Sequence, residues 1–173
     1  MRIRWLPILW MFCGSDLPTG SRRHALRRYF YWVALADFTG AAHGRALALT
    51  AARARSHIVT ADEVSTEYLT FFAAAPEPVR CEATESVEGI PASSAIRVIP
   101  QSRESLLARL QLYRARPGKG YSLVDCISLQ TMRREGLTEA LTSDRHSEQE
   151  GFRAIFRGRP RRTRRRAKWN PWK

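Results

Sequence analysis

Residues 157–173 hold nine Lys or Arg and no acid, and that run limits where this chain can build a core. Like charges repel and nothing apolar repeats there, so the segment is expected to stay unfolded. Residues 1–30 are basic too, with six Lys or Arg against one acid, whereas residues 31–156 carry 14 basic and 15 acidic side chains. The formal charge of +13 on 173 residues therefore belongs to the ends. Between them lies one nearly neutral stretch, long enough for a single packed domain and too short for two.

Cys13, Cys81 and Cys126 are far apart and odd in number. With no Cys-x-x-Cys and no Cys/His spacing suited to zinc, they read as idle thiols in a reducing, cytoplasmic setting. The start imitates a signal peptide, with Arg2 and Arg4 before the apolar run 5–13. Pro7 interrupts that run, no small-x-small cleavage site follows, and Phe12 before Cys13 does not suit a lipoprotein. No apolar run reaches the roughly 18–20 residues that cross a bilayer.

The middle alternates between strand-like and helix-like pieces. Residues 14–24 are a turn-rich, basic link, followed by two helical pieces over 29–52 separated by a turn at 38–40. Residues 57–59 read as a strand. Thr60 and Glu63 then fit a capping box for a helix whose apolar face holds Val64, Tyr68, Phe71 and Phe72. Pro76 and Pro78 end that helix, and 79–95 is too weakly patterned to place. Residues 97–99 are a strand. The helix 105–116 follows, with Leu106, Leu107, Leu110 and Tyr113 expected to face inward. Ser122 and Asp125 open the next helix, which carries Ile127 and Met132, and 139–142 is a short strand ending before Asp144. Strands alternating with helices predict an α/β fold with a parallel sheet covered on both faces.

Ligands of open α/β sheets collect beyond the carboxyl ends of the strands. Asp144 lies just past one strand, Asp125 in the first turn of a helix, and Glu67 one turn into another. At about 4 Å each pair of carboxylates repels by about 4 kcal/mol at an effective dielectric near 20. A hard divalent cation removes that cost, and oxygen donors suit Mg²⁺ or Mn²⁺. The plainer reading keeps Asp125 as a helix-start residue and Asp144 as a turn acid.

Three stretches say more than their periodicity. Residues 120–128 (GYSLVDCIS), residues 141–146 (LTSDRH) and Gly151-Phe152 closely resemble PIN-domain proteins, nearest the VapC-type toxins of toxin–antitoxin pairs. Residues 60–69 (TADEVSTEYL) and 31–35 (YWVAL) fit the same family in the same order, so the resemblance spans about 29–156. It implies a three-layer α/β/α sandwich with a central parallel sheet, acting as an Mg²⁺- or Mn²⁺-dependent ribonuclease that hydrolyses RNA phosphodiester bonds. By position, Glu67, Asp125 and Asp144 match the acids that hold the metal, and Thr142 or Ser143 would support them by hydrogen bonding. A small cognate antitoxin and a homodimer are the partners it implies, with no membrane. His43 and His146 read as packing or surface residues.

One position departs from the family. Its first aspartate, four residues before Trp32, is Arg28 here. That exchange changes the local charge by two units and puts a guanidinium where a cation should bind, able to pair with Asp125 or Asp144. The strand before it is not legible either, because 21–27 is basic and poorly apolar. Residues 8–13, ending near Asp16, offer an alternative strand and acid.

The chain thus divides into a divergent basic segment 1–28, a PIN-like domain 29–156 and a basic tail 157–173. In the tail, Arg161, Arg162, Arg164, Arg165, Arg166 and Trp169 would form an RNA-binding arm by phosphate contact and base stacking. Two functions stay open: a PIN ribonuclease with impaired activity, or a degenerate PIN fold that binds RNA or an antitoxin without cutting. Membrane tethering through 5–13 is a third.

Overall fold

The computed structural model describes residues 24–53, 56–93 and 95–156. The apolar run 5–13, Asp16 and the tail 157–173 lie outside the described residues. Strand β1 (Ala25–Arg27) leads into helix α1 (Tyr29–Ala36), followed by α2 (His43–Ala52), β2 (Ile58–Ala61), α3 (Asp62–Phe71) and α4 (Glu77–Gly89). A 3₁₀ turn, Ile90–Ala92, precedes β3 (Ile96–Ile99) and α5 (Arg103–Ala115). Then come α6 (Leu123–Arg134), β4 (Glu139–Leu141), α7 (His146–Gln149) and β5 (Arg153–Ala154). The strands form one parallel sheet in the order β3-β2-β1-β4-β5, the core of a three-layer α/β/α arrangement.

The strand expected to be missing is present, and it is central. Leu26 pairs with Val59 on one side and Ala140 on the other. Backbone pairing on both sides holds this strand in place despite its basic sequence. Arg27 is buried in it because its guanidinium lies over two rings, 4.8 Å from the Tyr31 centroid and 5.2 Å from that of Trp32. Burial lowers its pKa to about 10.

Three local expectations are corrected. Thr60 lies inside β2, with its hydroxyl 3.4 Å from the Arg27 carbonyl, and Ala61 takes the N-cap position of α3 with no side-chain cap. Glu63, expected to close that capping box, pairs with the buried Arg109 of α5. Pro76 and Pro78 open α4 rather than only closing α3, since proline suits the first turn, where amide donors have no helical partner. Finally, α5 buries Arg109, keeps Leu106 and Leu110 half-buried, and leaves Leu107 and Tyr113 about half exposed. A charged pair that finds its partner overrides the apolar periodicity.

Because the strand order reverses at β1 and β4, a crevice opens past their carboxyl ends. Arg28 follows β1 directly and Asp144 lies three residues past β4.

Candidate acidic centre

Asp125 is fixed by the start of α6. Its Oδ2 accepts from the Ser122 amide at 2.7 Å and hydroxyl at 2.9 Å, while its own amide donates to Ser122 Oγ at 3.0 Å. Two backbone donors at the helix start, the amides of Ser122 and Asp125, are thereby satisfied. Asp144 is held by its loop: its amide donates to Thr142 Oγ1 at 3.1 Å, and its Oδ1 accepts from the His146 amide at 3.0 Å. Thr142 is buried and Ser143 exposed.

Arg28 spans the two acids. Its Nη1 donates to Asp144 Oδ2 at 2.8 Å and its Nη2 to Asp125 Oδ1, with only 5% of the arginine side chain exposed. This is a forked, charge-assisted contact shared between two carboxylates rather than spent on one. Burial works against the ionised Asp125, but Arg28 and the Ser122 donors outweigh it and hold its pKa below the ordinary value. Burial likewise works against the Arg28 charge, and Asp125, Glu67 and Asp144 together hold its pKa above the usual arginine value.

Glu67 lines the same cavity of about 210 Å³, with Arg28, Tyr29, Phe30, Asp125 and Asp144. Burial raises its pKa to about 7, the charges of Asp125 and Asp144 add to that, and Arg28 opposes it. Its Oε2 is buried without a hydrogen-bond partner. Burial, then the Glu67 charge, also raises the pKa of Tyr29, with Arg28 opposing and Asp125 and Asp144 adding.

His146, read from the sequence as a packing or surface residue, faces both acids. Its Nδ1 lies 3.2 Å from Asp125 Oδ2 and 3.1 Å from Asp144 Oδ2. The Tyr121 ring packs on it at 5.0 Å, and the Tyr121 hydroxyl donates to Glu150 at 2.9 Å. Its place two residues after Asp144, at the start of α7, was the available signal. His43 instead lies 3.0 Å from the Ala34 carbonyl and fastens α2 to α1.

A larger cavity of about 800 Å³ lies between α5 and α6, but its arginines, Arg109, Arg133 and Arg134, are paired with Glu63, Glu150 and Glu135. Glu104 is the one carboxylate on its lining and is exposed, whereas the smaller cavity gathers three, Glu67, Asp125 and Asp144.

Among the described residues, Asp125, Asp144 and His146 form one group whose donor atoms lie within 4.8 Å of one another, a set suited in kind to a divalent cation. With Arg28 in place these residues do not fit one. A guanidinium already takes an oxygen of each acid, and a dication about 4 Å from it would be repelled by about 8 kcal/mol at an effective dielectric near 20.

No family model matches the chain, and no curated protein matches it. Its fold matches a solved structure, the VapC20 toxin of Mycobacterium tuberculosis, described as cleaving the sarcin-ricin loop. The TM-score is 0.67 at 23% identity, over 76% of this chain and 98% of that one. The likeness establishes the PIN-like fold. Among the described residues no helix is long and apolar enough to cross a membrane.

Proposed function

We propose that this chain is a PIN-domain protein of the VapC ribonuclease lineage that engages RNA, with cleavage impaired or lost because Arg28 occupies the acidic centre. The observation that carries this reading is the single guanidinium held by both Asp125 and Asp144. The PIN-like fold supports the lineage, and the lining of one cavity by Glu67, Asp125 and Asp144 supports the site. Arg28 removes the vacancy that a hydrolytic cation needs. The basic tail, with Arg161, Arg162, Arg164, Arg165, Arg166 and Trp169, supplies affinity for the phosphate backbone.

A second reading is an active Mg²⁺- or Mn²⁺-dependent ribonuclease, with Glu67, Asp125 and Asp144 as its acids. It is favoured by the close donor set of Asp125, Asp144 and His146. It requires Arg28 to leave both carboxylates. In either case Thr142 orients the Asp144 loop through the Asp144 amide. A cognate antitoxin, self-association and a cytoplasmic location follow from the lineage.

The test is filter binding of a structured RNA, followed by recovery of that RNA on a denaturing gel. Retention of intact RNA in the presence of Mn²⁺ supports holding without cutting. Absence of RNA binding at low salt rejects both readings.

A further inference from the structure

The mismatch between the acidic centre and a divalent cation has a single source. We infer that Arg28 is a resident cation standing in the metal's place, and that the centre is a latent metal site one substitution away from occupancy. The donor set is otherwise intact. Asp125 keeps both Ser122 donors, Asp144 keeps its loop contacts to Thr142 and His146, and their facing oxygens are the ones Arg28 holds. Glu67 adds a buried carboxylate oxygen without a partner on the wall of the same cavity.

Arg28 is also well placed to be a fixed occupant. It follows the central strand, and its carbonyl accepts from the Tyr31 amide at 3.0 Å at the first turn of α1. The backbone at this point is pinned by the sheet on one side and a helix on the other. The guanidinium therefore sits where β1 and β4 deliver it, and its single positive charge offsets part of the charge of the two acids from within the chain. This inference concerns the cation alone and stands whether or not RNA is the ligand.

The experiment is a Mn²⁺ titration, by calorimetry and by Mn²⁺-dependent shift of the melting temperature, on the wild-type chain, Arg28→Asp and Arg28→Gln. The wild type is expected to give no saturable binding and no shift. Folded Arg28→Asp is expected to bind at least about a hundredfold more tightly, because a like charge at contact distance is replaced by a carboxylate. Adding Asp144→Asn should abolish that gain. Arg28→Gln keeps a donor without the charge and should fall between. If Arg28→Asp does not fold without metal, Arg28→Gln and the wild type still decide. Saturable Mn²⁺ binding by the wild type that is lost in Asp144→Asn overturns the inference, as does a folded Arg28 variant that gains none. Metal gained without RNA binding would defeat the functional reading and leave this inference intact.

Discussion

Arg28 and Asp144, 116 residues apart, are joined at 2.8 Å by one arm of a guanidinium whose other arm holds Asp125. Breaking such a buried set from one side leaves uncompensated charge. Arg28→Ala should therefore cost about 3–5 kcal/mol of folding stability at neutral pH. Urea denaturation measures it, and a loss below about 1 kcal/mol would mean that water screens the acids well.

Stability should also depend on pH through Glu67. Its folded pKa of about 7 lies above the ordinary 4.5, so the folded state keeps that proton longer than the unfolded state does. Its contribution is complete below the ordinary value and is lost as pH rises through about 7. Asp125 acts oppositely: held below 3.8, it contributes above that value and loses its contribution as pH falls through its lowered folded pKa. Melting temperatures should be higher at mildly acidic than at mildly alkaline pH, and Glu67→Gln should flatten the difference. An equal pH dependence in that variant would assign the effect elsewhere.

Much of this was legible in the sequence, for particular reasons. The helix opened by Ser122 and Asp125 was readable because a capping box is local chemistry, and the structure keeps it. The departure at Arg28 was readable because motif spacing fixes its position. Strand β1 was not, since its formation depends on β2 and β4, both distant in sequence, and on rings that take up the Arg27 charge. Helix α4 was obscured by the same prolines that begin it. His146 was underrated because only the folded chain brings Asp125, 21 residues earlier, to its ring.

The burial of Arg109 on α5, with Leu107 and Tyr113 exposed, makes its own prediction. Leu107→Lys and Tyr113→Ser, at positions 50% and 49% exposed, should each change stability by no more than about 0.5 kcal/mol. Arg109→Ala, which strands Glu63, should cost about 3–5 kcal/mol. The two groups of variants would exchange ranks in urea denaturation if the leucine face were the buried one.

The tail gives a salt-dependence prediction. Four or five phosphate contacts from residues 157–173 would give a log–log salt slope of about −3. RNA affinity would then fall roughly 60-fold between 50 and 200 mM salt. Removing those residues should flatten the slope. An unchanged slope would place the RNA contacts on the folded body.

The most direct measurement of the central claim is single-turnover cleavage of a labelled RNA by the wild-type chain and by Arg28→Asp, with Mn²⁺ and with EDTA. The account predicts bound but uncut RNA with the wild type, and Mn²⁺-dependent cutting by Arg28→Asp that disappears with Asp144→Asn. Mn²⁺-dependent cutting by the wild type itself, abolished by Asp144→Asn, would contradict it.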